Sequence, residues 1–242
     1  MRVISLVPSI TEALFDLGLT DNEIIGRTKF CIHPAEKIKN VEIIGGTKNL
    51  NIEKIKALEP DLILANKEEN VKDQVETLMK DFKVIVYNTE TIEDNYYLVK
   101  NLGLLFNKEE KAQIFNLKIY EVLNRAKIDR KIKAAYLIWK NPYMTIGSDT
   151  FIHNILSEIG FENIFKNQTR YPEIQVEDLG EADVIMLSSE PFPFKEKHIS
   201  ELKEFYPDKK IMIVDGEAFS WYGTHIAKCE NYFKELIADF NT

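Results

Sequence analysis

The most reactive side chains of the sequence lie in the stretch Arg27-Thr-Lys-Phe-Cys-Ile-His-Pro34. Cys31 and His33 are two positions apart, which would place their side chains on the same side of an extended strand. In that geometry they could be two ligands of a metal ion, or a nucleophile and its base. The sequence has no H-E-x-x-H motif and no second cysteine-histidine cluster at zinc-binding spacing. We therefore expect structural or simple ligand-contact roles, and metal coordination and cysteine catalysis stay open as alternatives.

Two short motifs in the first fifty residues allow both a structural and a ligand-binding interpretation. Ser9-Ile-Thr-Glu12 matches the capping box S-x-x-E, and a helix start of this kind presents backbone amides to a ligand. Gly45-Gly46-Thr47-Lys48 lacks the full phosphate-loop pattern, so we do not expect a nucleotide site. We expect instead a glycine loop that allows close approach of a bulky ligand, followed by a helix that Asn51 caps.

Aromatic residues of the second half follow the strand candidates closely. We expect about half of them to pack in the core and the rest to contact a ligand. Large rings with few charges suit a broad, flat molecule such as a corrin or a porphyrin. A ferric siderophore is anionic and would call for clustered arginines and lysines, which Arg170 and Lys140 do not form. The residues of this group are Trp139, Tyr143, Phe165, Tyr171, Phe192, Phe194, Phe219, Trp221 and Tyr222.

Composition excludes several classes of protein. The 242 residues carry a formal charge of −8, with charges of both signs mixed along most helical segments, so a nucleic-acid-binding face is not expected. With 45% hydrophobic residues the chain can bury a substantial core. Two distant cysteines are too few for a disulfide framework, and no apolar run is long enough to span a membrane.

Alternating apolar runs and helical patterns indicate an α/β chain with largely parallel sheets. The strand candidates are Val3–Val7, Ile24–Ile25, Leu62–Ala65, Val84–Tyr87, Ala135–Trp139, Val184–Leu187 and Ile211–Val214. Near the middle, Lys108–Ala126 has an apolar stripe at helical spacing, which Ile114, Leu117 and Tyr120 are expected to widen.

The two halves of the sequence resemble each other. The segment 11–18 and the segment 151–160 both read as amphipathic helices that end at a glycine. The segments 55–64 and 176–186 both read as a helix that leads into a buried strand through an aspartate. We expect two Rossmann-like α/β lobes, residues 1–107 and 130–242, joined by a bridging helix at 108–129, with a ligand cleft between the lobes.

Four segments carry a resemblance to a known family, and together they cover essentially the whole chain. They are RVISLVPSITEALFDLGL, GGTKNLNIEKIKALEPDLILA, MTIGSDTFIHNILSEIGFENIF and EADVIML. They resemble the helical-backbone (class III) substrate-binding proteins of bacterial ABC importers, and most closely the periplasmic cobalamin-binding branch. That family includes receptors for cobalamin, haem, ferric siderophores and metals, and it implies a ligand cleft between two lobes.

The resemblance also implies a set of ligand contacts. Together with the candidates already chosen by residue type, they complete the list of expected contacts. These are Pro8, Ser9, Phe30, Cys31, His33, Gly46, Thr47, Trp139, Tyr143, Phe165, Tyr171, Phe192, Trp221 and Tyr222. The cobalamin-binding relatives carry an arginine after their last strand, which this sequence lacks. His225 or Thr224 is the expected substitute as a hydrogen-bond donor.

These features predict a non-enzymatic, monomeric protein that binds a cobalamin-like corrinoid, with no covalently bound cofactor, no metal centre and no catalytic residue. The alternatives are a ferric-siderophore or haem receptor, or a metal chaperone or enzyme that depends on Cys31 and His33. By resemblance an ABC permease would dock on one glutamate in each lobe. The candidates are Glu68 or Glu69 in the first lobe and Glu190 or Glu196 in the second.

The start of the sequence predicts a location. Met1 and Arg2 lead directly into a strand candidate, without the basic, apolar and small-residue regions of a secretory signal peptide. We therefore expect a cytoplasmic protein. The alternative is a periplasmic or cell-envelope protein from which an export signal has been removed.

Overall fold

The computed structural model describes residues 1–241, and these form two compact units. The first unit consists of residues 1–89, 93–118 and 222–225. The second unit consists of residues 90–92, 119–221 and 226–241. Each unit is therefore assembled from segments that are separate in sequence. The lobe boundaries expected from the sequence remain predictions.

The first unit is an α/β unit with one main sheet. In chain order its elements are β1 (Val3–Ser5), α1 (Pro8–Leu17), β2 (Ile24–Arg27), β3 (Glu42–Ile43), β4 (Gly45–Gly46), β5 (Asn49–Leu50), α2 (Ile52–Ala57), β6 (Leu62–Asn66), α3 (Lys72–Met79), β7 (Val84–Tyr87) and, apart from its first residue, α4 (Ile92–Leu105). A 3-10 helix covers Ile38–Asn40. Five strands form a parallel sheet in the order β3-β2-β1-β6-β7, and β4 and β5 form a small antiparallel hairpin. The central strands β1 and β6 are buried throughout, as parallel strands covered on both faces are.

Helix α1 begins two residues earlier than a capping box at Ser9 requires. Val7 occupies the N-cap position without a side-chain hydrogen bond, and Pro8 is the first helical residue, where its missing N–H has no intrahelical partner to lose. Ser9 therefore lies inside the first turn, and the predicted capping box with Glu12 is wrong. The predicted glycine end is confirmed, because Gly18 has a φ of 100° and its amide bonds the carbonyls of the last turn.

Helix α5 (Glu109–Arg125) confirms the long helix expected in the middle of the chain. Its residues up to Lys118 belong to the first unit, and those from Ile119 onward belong to the second. The expected widening of its apolar stripe is wrong, because three side chains are more than half exposed: Ile114, Leu117 and Tyr120. At about 100° per residue, Ile114 and Leu117 lie away from the side of the helix that Ala112 and Ile119 bury.

The second unit repeats the α/β plan. Its elements are β8 (Ile132–Leu137), β9 (Tyr143–Met144), α6 (Phe151–Glu158), β10 (Phe161–Asn163), β11 (Glu173–Ile174), β12 (Val184–Ser188), α7 (Glu196–Phe205), β13 (Lys210–Val214), α8 (Gly216–Ser220) and α9 (Glu230–Ala238). Four strands form a parallel sheet in the order β10-β8-β12-β13, and β9 pairs with β11 antiparallel. Its hydrophobic core includes Leu137, Leu187 and Leu202.

The predicted strands are all present, with small shifts at their ends. Val84–Tyr87 is reproduced residue for residue as β7. The candidate Ala135–Trp139 starts earlier and stops at Leu137, so Trp139 lies beyond the strand. The helix expected near 176 is a 3-10 helix, Val176–Glu181. The fold class is thus confirmed as α/β with two parallel sheets.

Candidate functional site

In the first unit, one buried asparagine organises the loops at the carboxyl ends of the strands. The Nδ2 of Asn70 donates to the carbonyls of Leu6 and Thr47, each at 3.2 Å, and its Oδ1 accepts the amide of Asn66 at 2.9 Å. The segment before α1, the glycine hairpin and the end of β6 are therefore held together. Because the carboxyl ends of parallel strands are the usual ligand edge of such a sheet, Asn70 acts as a support for this edge. Sequence reasoning missed that role.

The ligand contacts expected near the glycine hairpin of the first unit differ in how far their side chains are exposed. Thr47 and Ser9 are buried, and Pro8 is half-buried. Phe30 is 50% exposed, and a Cβ added to Gly46 would lie 3.2 Å from its ring. The missing side chain of Gly46 therefore lets the Phe30 ring lie against the hairpin. Lys29 places its ammonium 5.0 Å from the centre of that ring.

Cys31 and His33 do not form the site that their spacing suggested. Both lie in a loop after β2, so the expected strand geometry is wrong. Cys31 is buried, and its Sγ lies 3.1 Å from the Thr11 hydroxyl and 3.2 Å from that of Thr28. Burial raises the pKa of the Cys31 thiol, which disfavours the reactive thiolate. Among residues 1–241, no three His, Cys, Asp or Glu side chains are grouped as metal ligands.

The imidazole of His33 lies near the imidazole of His225. Its ring centre is 6.3 Å from that of His225, and His225 Nδ1 lies 2.8 Å from the carboxylate of Glu12. Thr224 donates its hydroxyl to Asp16 at 2.5 Å. Two acids of α1 thus hold the segment 224–225. Thr224 is fully buried and its donor is engaged, so it does not replace the missing arginine toward a ligand.

In the second unit, an aromatic row follows the ends of β8 and β12. Trp139 is 40% exposed and packs edge-on against Phe192, with 5.6 Å between ring centres. Phe192 in turn packs against Phe194 at 4.7 Å, and His198 lies 5.4 Å from both rings. The row runs from exposed Trp139 to buried Phe194. It gives Trp139 a rigid support while leaving part of the indole uncovered.

The other expected contacts of the second unit are less open. Tyr143 and Tyr171 are half-buried, and Arg170 lies 5.5 Å from the centre of the Tyr171 ring. Phe165 is buried in the core of the second unit, so it is the least suited to touch a ligand. Trp221 and, in the first unit, Tyr222 are also buried, at 8% and 5% exposure.

Glu190 forms a polar corner beside Trp221. Its Oε1 accepts the Ser220 hydroxyl at 2.7 Å and the indole N–H of Trp221 at 3.2 Å. Burial raises the pKa of Glu190 above its ordinary value, and the nearby Glu217 and Asp215 act in the same direction. Sequence reasoning placed Glu190 only among docking candidates. Glu196, the other one, is exposed at the first residue of α7.

Two of the cations near these loops, Arg27 and Lys140, are bonded to other groups of the protein. Arg27 donates to the backbone carbonyls of Ile38, Thr28 and Cys31. Lys140 forms an ion pair with Glu201. Neither side chain stands ready for an anionic ligand.

The sequence is similar to a known protein family over most of its length. The model of the periplasmic binding protein family matches residues 3–204. The vitamin B12-binding protein of Salmonella typhimurium is 32% identical over 180 residues, which are 72% of this chain and 66% of that protein. An uncharacterised ABC transporter substrate-binding lipoprotein of Bacillus subtilis is 29% identical over 186 residues, which are 72% of this chain and 58% of that protein. The chain thus spans 66% and 58% of these relatives' lengths.

A solved structure shares the fold across the whole chain. It is a periplasmic heme-binding protein of Pseudomonas aeruginosa with a TM-score of 0.82 and 18% identity, and the match covers 99% of this chain and 92% of that one. At this identity the likeness concerns the fold alone, so it leaves the ligand open.

The comparisons correct the expected location. The matching family is one of periplasmic proteins, and one of the two relatives is a lipoprotein. The expectation of a cytoplasmic protein is therefore wrong. Among residues 1–241 no helix has the length and apolar character needed to cross a bilayer.

Proposed function

The chain belongs to the periplasmic binding protein family, and we propose that it is a non-enzymatic substrate-binding protein that presents a cobalamin-like corrinoid to an ABC importer. Sequence relatives support the corrinoid, since the vitamin B12-binding protein of Salmonella typhimurium is 32% identical to this chain. The location of the ligand between the two lobes stays a prediction, as does the monomeric state.

The observation that carries this proposal is the combination of exposed aromatic rings after the strands with a group of acidic side chains next to Trp221. Phe30 in the first unit and Trp139 in the second keep 50% and 40% of their surface exposed after a strand. Flat faces of this kind suit a flat macrocycle, which gains affinity by covering apolar area.

The acidic groups near Trp221 favour a ligand with a neutral periphery over an anionic one. In the second unit the side chains that follow β12 and β13 include Glu190, Asp215 and Glu217. A corrinoid carries carboxamides, whose N–H groups donate to carboxylates, whereas haem carries propionates and a ferric siderophore is anionic. Like charges placed near each other cost binding energy in a partly desolvated site. The acidic lining therefore favours the corrinoid.

Haem is the second candidate, because the first unit brings the imidazoles of His33 and His225 within 6.3 Å of each other. Imidazole is a common axial ligand of haem iron. The burial of Cys31 argues against the hypothesis of an enzyme or metal chaperone that depends on this thiol, because its Sγ is enclosed beside the hydroxyls of Thr11 and Thr28. For the permease, Glu196 and the half-buried Glu68 and Glu69 remain the proposed contacts.

Tryptophan fluorescence provides the test, because the sequence has only two tryptophans, Trp139 and Trp221. We expect cyanocobalamin and cobinamide to quench most of this emission in a saturable, one-to-one manner. Haemin and a panel of ferric siderophores should compete weakly. Saturable quenching by haemin, with no response to either corrinoid, would replace the proposal with the haem receptor.

A further inference from the structure

Glu190 has one carboxylate oxygen engaged and one available. Its Oε1 accepts both the Ser220 hydroxyl and the Trp221 indole N–H. Its Oε2 has no hydrogen-bond partner within residues 1–241, and this oxygen is not sealed inside the protein. A carboxylate oxygen can accept two hydrogen bonds, so Oε2 is an acceptor that the fold leaves unused.

Neighbouring residues fix the position of this carboxylate. Gly216 has no room for a side chain, because a Cβ there would contact Cγ of Glu190 and would lie 2.6 Å from the Ser188 hydroxyl. The Ser188 hydroxyl donates to the Glu190 carbonyl at 2.6 Å, and the Gly216 amide donates to Ser189 at 2.9 Å. The ends of β12 and β13 therefore hold Glu190 from both its backbone and its side chain.

No cation neutralises this group. Within residues 1–241, Glu190 forms no ion pair, and its charged neighbours are the acids Asp215 and Glu217. The charge beside Trp221 is therefore negative when Glu190 is ionised. A neutral N–H donor would be attracted to Oε2, and a second carboxylate would be repelled.

We propose that Glu190 is a specificity-determining ligand contact, whose Oε2 accepts a hydrogen bond from a peripheral carboxamide and whose charge rejects ligands that carry a carboxylate at that place. This inference rests on the proposed function and names the chemical group that the site selects. It also gives Glu190 a role different from docking, because a carboxylate bonded to Ser220 and Trp221 is poorly suited to reach a second protein.

The test compares two ligands that share one ring. Cobinamide carries carboxamides, and cobyrinic acid carries the corresponding carboxylates. Calorimetric titration should show that the native protein prefers the amide ligand by at least tenfold. Glu190→Gln keeps an oxygen for Ser220 and Trp221 but replaces Oε2 by an amide, which can donate to a carboxylate. We expect this variant to reduce the preference at least tenfold, mainly through tighter binding of cobyrinic acid.

The matched control is Glu196→Gln, which removes the same charge from an exposed position at the start of α7. It should leave the ratio of the two affinities unchanged. Circular dichroism and thermal melting of each variant establish that it is folded. Glu190→Gln with the native ratio, or with both ligands weakened equally, would overturn the inference, because the second result is what a purely supporting role for Trp221 predicts.

Failure of the proposed function has a different signature. If the native protein binds haemin and no corrinoid, the same comparison uses haemin and its dimethyl ester, which differ only in the charge of the propionates. A preference for the ester that Glu190→Gln abolishes would support the role of Glu190 on another macrocycle. An unchanged ratio would reject it there as well.

Discussion

The exposed indole of Trp139 gives the sharpest quantitative prediction for ligand binding. Trp139 is 40% exposed, and a tryptophan side chain has up to about 250 Å² to bury. A flat ligand that covers the exposed part would therefore remove about 100 Å² from water. At about 25 cal/mol per Å², this burial contributes about 2.5 kcal/mol. Trp139→Ala should then weaken cyanocobalamin binding by as much as about 70-fold.

The same substitution should have a smaller effect on the fold. The side chain loses mainly its edge-on contact with Phe192, at 5.6 Å between ring centres. Such pairs contribute about 0.5–1.5 kcal/mol to the free energy of unfolding. Calorimetric titration and urea unfolding of the same preparation measure the two effects separately.

A matched control comes from the opposite end of the sheet. Phe205 is 60% exposed at the end of α7, five residues before β13 begins, so it lies away from the carboxyl ends of the strands. Phe205→Ala should leave the affinity unchanged. If Trp139→Ala bound cyanocobalamin as tightly as the native protein does, the placement of the ligand on this aromatic row would be refuted.

Further predictions concern stability and reactivity. Ile119→Pro should lower the free energy of unfolding by about 3 kcal/mol or more, since Ile119 is buried within α5, and an unchanged urea midpoint would contradict this. Burial raises the pKa of Glu190 in the folded protein, so the protonated carboxyl favours the folded state. This contribution to the free energy of unfolding is fully present below the unfolded pKa of the group and is lost as pH rises through its folded pKa. The melting temperature of Glu190→Gln relative to the native protein should therefore rise from about pH 4 to pH 7, and a constant difference would refute the burial argument. Cys31 and Cys229 are buried thiols, so iodoacetamide at neutral pH should modify them only after unfolding. Rapid labelling of the folded protein would show that the loop around Cys31 opens.

Regular patterns in the sequence predicted the fold well. The buried strands β6 and β12 are apolar runs that end in one polar residue, and such runs between helical segments are typical of parallel sheets. The end of α1 at Gly18 followed from local chemistry, because glycine accepts a positive φ at little cost. Local rules failed where distant residues decide. The capping box was lost because Pro8 began the helix and Glu12 bonded His225 instead.

The candidate site was predictable by residue type and less so by geometry. The exposed ring of Phe30 lies beyond β2, whereas Trp139, which the sequence placed at the end of a strand, lies two residues beyond the end of β8. The corner at Glu190 was not visible, because Ser220 and Trp221 lie 30 and 31 positions away from it. Which residues converge there depends on the order of strands in the sheet, and a single sequence does not contain that order explicitly.

Isothermal titration of the native protein with cyanocobalamin, followed by haemin under the same conditions, tests the central claim most directly. The proposed function predicts one molar equivalent of cyanocobalamin bound, with an affinity that exceeds that for haemin by at least tenfold. Binding of haemin with no measurable heat or competition from cyanocobalamin would contradict it.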